Sequence, residues 1–372
     1  MLAKDQSGSI YTNGGGDDDE NTAQHPHAAR PSGTSRHGVA RLTAPLSLSV
    51  ATWDHDRVMA VQDGRVTIPG VSVTPHILPT TKLFPIAVQE ARFDVTELSL
   101  SSHILQVARG QANYVAIPAF VSRAFRHNGF YRRVGSGIAS PSDFAGRAIG
   151  VPEYQMTAAL WMRAIMADDY SVTPTAVHWR TGALDQGVRH ERLALTPPPD
   201  LRITPVAEGQ TLQDLLLAGE IDGMLAPNPP RAFSEGDPRI ERVFPDFETV
   251  EQDWHRRTGF FPIMHVIALR RDVAEAHPWL ARALFDAFSQ ARDIALDRLR
   301  EVWLGSANRL SLPWLNASME RTRAAMGPDY WPYGFQRAQP EIAAMCRHSF
   351  EQYLAPRLVD ARELFDPTLL ET

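Results

Sequence analysis

The chain has 372 residues, 44% of them hydrophobic, enough to bury one large core or two lobes of roughly 100 to 200 residues each. Its 43 acidic residues outnumber 37 basic ones for a formal charge of -6, and it has no basic stripe of the kind that neutralises a nucleic-acid backbone. The single cysteine, Cys346, excludes an internal disulfide and a multi-cysteine metal site.

Residues 1–45, with GGGDDDE at 14–20 and HPHAARPSGTSRHG at 25–38, lack any periodic apolar face and are expected to be disordered. His25 and His27 read as part of that flexible tail. No basic end followed by an apolar run precedes Leu46, so no secretory signal is expected and the cytoplasm is favoured. No apolar stretch reaches roughly 18 residues, so no membrane span is expected either. From Leu46 onward, alternation and β-branched residues predict strands in LSLSVAT (46–52) and VSVTPHIL (71–78). KLFPIAVQEARFDVTELSL then reads as a short helix leading into a strand that stops at Glu97. SSHILQVARG reads as a helix capped by Ser101 or Ser102 and ended by Gly110. YVAIPAF completes a βαβ rhythm, whose natural product is parallel strands with covering helices.

Around Arg132 to Ile138 the chain is expected to leave this first lobe. Ser140 caps a short turn, Gly146 stops it, AIGVP forms a buried strand, and Tyr154 to Ala167 form a helix. LRITPV, TLQDLLLAGEI and MLAP repeat the strand and helix order, giving a second lobe its own sheet. GFFPIMHVIALRR (259–271) carries a Pro and a His inside an apolar run. It reads as the return crossing between lobes, with Met264 and His265 facing a cleft. A long amphipathic helix starts near Pro278, with Leu280, Leu284, Phe288 and Ile294 on one stripe, and later helices including EIAAMCRHSFEQYL wrap the outside. The expected organisation is lobe 1 from 46–135 plus 259–372, and lobe 2 from 136–258 including the return linker.

In open α/β sheets a ligand sits beyond the carboxyl ends of the strands. That rule gathers Asp54 to Arg57, Glu97 to His103, Ile117 to His127, Pro152 to Thr157, Trp179 to Gly182, Pro227 to Arg231 and Met264 to His265. Arg123 and His127 are four apart, so in a helix they share a face and, with Arg126, could grip a carboxylate; the alternative is a solvated basic turn. GVPEYQMTAALWM puts a helix amino terminus at a strand end. Its free N–H groups offer an anion seat, to which Tyr154, Gln155 and Thr157 add hydrogen bonds. Glu153 would repel an anion there unless it meets an arginine or carries a proton; alternatively it serves the helix dipole and Thr157 caps locally. His265 is either a catalyst or a satisfied core histidine, and His103 either a ligand contact or a buried cap. HEXXH is absent, and Asp54, His55 and Asp56 are adjacent rather than spaced to converge on an ion. Asp54, Glu97, His103 and His265 could assemble, but nothing selects them, so no metal is assigned and a divalent ion is left open. Nucleotide loops and nucleophile elbows are absent, and no cofactor is expected.

FDVTELSLSSHI (93–104), YVAIPAFVSRAFRH (114–127), IGVPEYQMTAALW (149–161), AGEIDGMLAP (218–227), TGFFPIMHVIALRRDVAEAHPW (258–279) and MGPDYWPYG (326–334) resemble the 4,5-dihydroxyphthalate decarboxylase family, over about Leu46 to Pro367. The resemblance implies an α/β fold of the two-lobe, type II periplasmic-binding-protein-like kind, with a central ligand cleft and additional C-terminal helices. It also implies non-oxidative loss of carbon dioxide from a dihydroxylated aromatic dicarboxylate. The family's Asp-Arg pair falls on Asp56 and Arg57, its arginine-rich turn on Arg123, Arg126 and His127, and its FPIMH element on Phe261 to His265. His103 stands where the family pattern leads one to expect tyrosine.

Chemistry of that kind needs an acid above the ring, an acceptor at the hydroxyl and a clamp on the carboxylate that stays. His265 or His127 could supply the proton, Glu97 or Asp56 could draw the phenolic proton, and Arg123 and Arg126 could orient carboxylates. Arg57 or Arg180 could hold the far side, and Phe261, Trp179 and Met264 could give the departing group a dry wall. The expected partner is a small aromatic carboxylate, with no nucleic acid and no membrane; assembly into a homo-oligomer is left open. A non-catalytic binding protein for a small anion, or an enzyme for another activated carboxylate or ester, are the alternatives.

Overall fold

The computed structural model describes residues 44–372 apart from Val188 and Asn308, so the expected disorder of 1–45 lies almost wholly outside the described residues. The strands are β1 (Leu46–Thr52), β2 (Val71–Ile77), β3 (Val95–Ser99), β4 (Tyr114–Arg123), β5 (Phe130–Arg133), β6 (Ala148–Val151), β7 (His178–Thr181), β8 (Ile203–Pro205), β9 (Gly223–Leu225), β10 (Ile240–Arg242) and β11 (Ile263–Arg270). The helices are α1 (Asp56–Gln62), α2 (Thr80–Glu90), α3 (Leu100–Ala108), α4 (Thr157–Tyr170), α5 (Leu212–Ala218), α6 (Arg231–Ser234), α7 (Phe247–Thr258), α8 (Arg271–Ala276), α9 (Leu280–Leu304), α10 (Leu315–Met326) and α11 (Phe335–Glu351).

Two sheets result, one in the order β2-β1-β3-β11-β4 and one in the order β10-β5-β9-β6-β7-β8. β1 runs parallel to β2 and β3, as the βαβ rhythm predicts. The first sheet is nevertheless mixed: β11 returns from the second sheet, inserts between β3 and β4, and is antiparallel to both. In the second sheet β6 is parallel to β7 and β9, whereas β5 is antiparallel to β9 and β10. Since β5 belongs to that sheet, the outward crossing falls between Arg123 and Phe130, earlier than the expected 132–138.

Two local expectations are corrected. β3 continues past Glu97 to Ser99, and it is Ser99, not Ser101 or Ser102, that caps α3 by accepting from the Ser102 N–H. The helix that would align Arg123 with His127 does not form. Arg123 is still in β4, paired with Ile263 of β11, and His127 opens a single turn at His127–Gly129. Sheet pairing engages the backbone that an i to i+4 ladder would need.

Val50, Val95, Leu98, Ile117, Val266 and Ile267 form the centre of the first sheet's core, all fully buried. The predicted stripe of α9 packs on it through Leu280, Leu284 and Phe288, which are also fully buried, each contributing about 1.5–3 kcal/mol relative to exposure. The second sheet has a smaller core of Leu212, Leu215, Leu216, Ile221 and Met224. α5 is framed by a Thr211–Asp214 capping box and ends at Gly219, whose φ of 78° suits glycine. Trp161 of α4 donates to the Ile263 carbonyl at 3.0 Å, tying the second sheet's first helix to the start of the return strand. Among the described residues no helix is long and apolar enough to cross a membrane.

Candidate active site

Antiparallel register sets the centre of the site. His265 pairs with Ser99 and Ile267 with Glu97, so residues 97, 99, 265 and 267 project from one face and Glu97 is the diagonal neighbour of His265. Register shifts in the β11–β4 pairing flank His265 on both sides, a local irregularity of the kind that re-aims a side chain. His265 Nδ1 lies 2.6 Å from Glu97 Oε1, and His55 Nε2, just past the carboxyl end of β1, lies 3.0 Å from the same oxygen. The Trp53 N–H donates to Glu97 Oε2 at 2.8 Å. Arg57 Nη2 lies 3.2 Å from His55 Nδ1, and Arg57 is itself fixed by Asp56 at 2.8 Å, the Val121 carbonyl at 2.6 Å and the Trp331 ring, 4.0 Å beneath its guanidinium carbon.

Burial pushes the Glu97 carboxyl up, but the hydrogen bonds from His265 and His55 outweigh it and hold the group well below the usual carboxylate range. Burial lowers His265, against the hydrogen bond to Glu97 that raises it, and the balance is downward. At neutral pH the pair is therefore an ionised glutamate and a neutral imidazole donating its Nδ1–H. The Glu97 side chain has no exposed surface while 17% of His265 is open. Glu97 is thus sealed behind the imidazoles, which it contacts with one carboxylate oxygen. His265 Nε2 has no hydrogen-bond partner among the described residues, and Phe84 of α2 packs against the ring edge-on at 4.7 Å.

Arg126 points its Nε at Met264 Sδ, 3.2 Å away, and has no carboxylate within ion-pair distance among the described residues. Burial lowers it to about 10, with Glu251 opposing, so it stays charged, and its charge is felt at His265. Here the expected basic turn does bring a free cation to the histidine.

The amino terminus of α4 is arranged differently from expectation. Glu153 does meet arginines, Arg189 at 2.6 Å and Arg192 at 2.7 Å. The backbone N–H groups of Tyr154 and Gln155, the latter at 3.1 Å, donate to the carboxylate of Glu191. The Tyr154 side chain turns into the core, with its hydroxyl on the Gln352 carbonyl and Arg163 stacked 3.7 Å above its ring. Gln155 reaches the Leu193 carbonyl, and Thr157 Oγ1 lies 2.9 Å from Ser99 Oγ and accepts from the Ser101 N–H.

Several predicted residues are placed elsewhere. Arg123 is shut in the core, bonded to Glu341 at 3.0 Å and to the Phe261 carbonyl at 2.6 Å, so its charge is already matched and it is no free clamp. His127 packs between Phe244 and Trp254, where burial lowers it to about 4. His103 is wholly buried with Nε2 2.9 Å from the Leu364 carbonyl, and burial lowers it to about 4 as well. Trp179 is core, edge-on to Tyr154 and donating to the Pro174 carbonyl, and so forms no wall of an open site. Asp56 is over half exposed and engaged with Arg57, while Arg180 is half-buried with its Nε unpartnered. Phe261 packs on Phe125 and Trp331. Cavities of about 180 and about 310 Å³ lie by α7 and α10; Arg123 and Phe261 line the smaller, but none of His55, Glu97 and His265 lines either. The site is therefore defined by its charge cluster.

Sequence reasoning gathered His55 with Asp54 to Arg57 but gave it no role, and it assigned none to Phe84, Arg192, Glu191 or Trp331. His55 alone carried a usable signal, since it follows the carboxyl end of a predicted strand beside the one bearing Glu97. His55, Glu97 and His265 each offer a ligand atom within 4.8 Å of the others, the geometry of a group that could hold a metal ion.

Two α/β sheets joined by crossing strands, with a histidine-carboxylate cluster at the crossing, define a two-lobed protein of the periplasmic-binding-protein-like fold. The solved periplasmic aliphatic sulphonate binding protein SsuA from Escherichia coli shares it at a TM-score of 0.50 and 13% identity, over 88% of this chain and 99% of that one. No protein-family model matches the chain. A 4,5-dihydroxyphthalate decarboxylase of Comamonas testosteroni is 37% identical over 327 residues, 88% of this chain and 98% of the relative. A second, of Pseudomonas putida, is 35% identical over 215 residues, 58% of this chain and 83% of that protein. The chain belongs to the 4,5-dihydroxyphthalate decarboxylase family.

Proposed function

We propose that this protein is a carbon-carbon lyase that removes one carboxyl group, as carbon dioxide, from a dihydroxyphthalate, with 4,5-dihydroxyphthalate the substrate its relatives' names give. Family membership supplies the reaction, and the observation that carries the site is a buried, ionised Glu97 holding His265 with Nε2 free. Direct loss of carbon dioxide would strand an electron pair in the plane of the ring. A hydroxyl para to the carboxyl instead pushes electron density onto the carboxyl-bearing carbon, which takes a proton. The bond to the carboxylate then breaks and its electron pair restores the aromatic ring, so one proton is consumed per carbon dioxide released.

His265 Nε2 is the proton-transfer atom in this reading. In the resting protein burial keeps the imidazole neutral. An arriving dianion raises its proton affinity, and Glu97 stabilises the imidazolium across the 2.6 Å hydrogen bond. Arg126 holds the carboxylate that remains, and Met264 and Phe84 give the departing group an apolar flank that does not over-stabilise it in the ground state. Arg57 and His55 position Glu97 from behind. The step needs no cofactor.

The lone, buried Cys346 supports a cytoplasmic setting, and the activity should fractionate with the cytosol. The test is direct: purified protein is given 4,5-dihydroxyphthalate without oxygen or nicotinamide, and carbon dioxide and dihydroxybenzoate are quantified. Binding without carbon dioxide release between about pH 5 and pH 9 would overturn the assignment.

A further inference from the structure

Between β7 and β8 the described residues of 182–202 form no helix or strand, and the connection is longer than an ordinary one within an α/β unit. The segment is fastened to both sheets' helices. Gln89 at the end of α2 donates to the Arg192 carbonyl at 3.4 Å, and Arg109 just past α3 donates to the Ala194 carbonyl at 2.7 Å. On the other side Gln155 donates to the Leu193 carbonyl at 3.2 Å.

Where the segment crosses, it brings two arginines and a glutamate onto Glu153. Arg189 and Arg192 pair with Glu153, and Glu191 accepts from the N–H groups of Tyr154 and Gln155. Two cations and two anions balance, but the hydrogen bonding does not. Arg192 is nine-tenths buried, yet among the described residues its Nη1 has no acceptor, and Gln155 Oε1 has no donor. A buried guanidinium donor left without an acceptor is costly and uncommon in a resting core.

This cluster borders the His265 site along two separate paths. The Arg192 guanidinium lies 5.3 Å from the Phe84 ring, and that ring lies 4.7 Å from the His265 ring. Together the distances put the guanidinium within about 10 Å of the imidazole, a span that a benzene ring and its carboxylate can bridge. Independently, Thr157 in the first turn of α4 bonds Ser99, the register partner of His265.

We propose that the turn at Tyr154 and Gln155, just before α4, is the seat for a substrate carboxylate, that Glu191 occupies it as a built-in surrogate in the empty protein, and that Arg192 grips the incoming carboxylate once Glu191 is displaced. The exchange preserves charge balance, one carboxylate replacing another against the same N–H groups. It gives the free Nη1 the acceptor it lacks. Burial raises the Glu191 carboxyl, which eases its departure. The proposal rests on the dihydroxyphthalate reading for the identity of the ligand, but its mechanics need only an aromatic carboxylate.

Phthalate itself, lacking the hydroxyls that drive decarboxylation, is the probe. Calorimetric titration of the full chain at pH 7 compares wild type with Glu191→Gln, Glu191→Ala, Arg192→Lys and Arg192→Ala, each checked for native circular dichroism. Removing the resident charge should tighten phthalate binding by about fivefold or more in both Glu191 variants, and Arg192→Lys should weaken it by about tenfold. Unchanged or weaker binding in both Glu191 variants, or no phthalate binding by any form, overturns the proposal. Since no turnover is involved, phthalate binding of this pattern without carbon dioxide release from 4,5-dihydroxyphthalate would sink the activity and leave the seat standing. Carbon dioxide release with no response to Glu191 would do the reverse.

Discussion

Arg57 Nη2 stands 3.2 Å from His55 Nδ1, and this contact sets which ring nitrogen of His55 carries the hydrogen. A guanidinium has donors only, so His55 Nδ1 must accept, and in a neutral ring the hydrogen then sits on Nε2 and is donated to Glu97. A metal bound by His55 Nε2 would need the lone pair that this hydrogen occupies, and would bring its charge beside Arg57. The arrangement thus favours a hydrogen-bonded relay over a metal centre. Exhaustive dialysis against a chelator is expected to leave kcat within about twofold. Loss of activity that one divalent ion restores would mean the three side chains bind that ion instead.

The second prediction concerns His265. Its replacement by Gln should lower kcat by about 10² to 10⁴ while KM moves only a few fold, the signature of a group used in the proton transfer. Because burial depresses His265, the protonated form becomes common only on the acid side of its ordinary value of 6.5. If Nε2 delivers the proton, kcat/KM should rise as pH falls from about 8 toward 6. Glu97→Gln removes the group that raises His265 and should displace that limb to lower pH. A profile flat over this range would remove His265 as the acid.

The return strand with His265, the strand with Glu97 and the arginine turn were all legible because each lies in a strongly patterned stretch. What the pattern could not show was which cations were already matched. Arg123 and Arg126 look alike in sequence, yet one meets Glu341, far along the chain on α11, while the other, among the described residues, reaches a methionine sulfur and no carboxylate. Such pairing is a long-range property with no local signature. The same holds for Glu191 and Arg192, which sit in a segment with no helix or strand pattern to anchor a reading. The antiparallel return of β11 was likewise hidden, since periodicity reports burial but not strand direction.

That contrast between the two arginines is testable. Arg126→Met should raise KM for the dicarboxylate by about tenfold or more with a smaller change in kcat, and Arg126→Lys should fall between. Glu341→Ala should leave KM near wild type but destabilise the fold by about 3–5 kcal/mol, because it strands the Arg123 charge and removes the acceptor of the Ile263 N–H at 2.6 Å. Replacing both partners, with Arg123→Met and Glu341→Leu together, should recover much of that loss. Chemical denaturation and steady-state kinetics on the same preparations separate the two roles. An unchanged KM for Arg126→Met would leave Arg126 a structural charge.

His103 and His127 carry the last prediction, on stability rather than turnover. Burial lowers each from 6.5 to about 4. Above pH 6.5 both folded and unfolded chains hold them neutral and nothing is lost. As pH falls from 6.5 to about 4 the unfolded chain takes up the protons first, so stability declines through that window, by up to about 3 kcal/mol for each histidine. Denaturation midpoints at several pH values between 7 and 4.5 should fall accordingly. His127→Phe, placed between Phe244 and Trp254 where the unpaired Nδ1 gains nothing, should flatten the decline and hold turnover within about threefold. Collapse of turnover in that variant would return His127 to the list of proton donors, and a pH-independent midpoint would mean that neither ring is as dry as its burial implies.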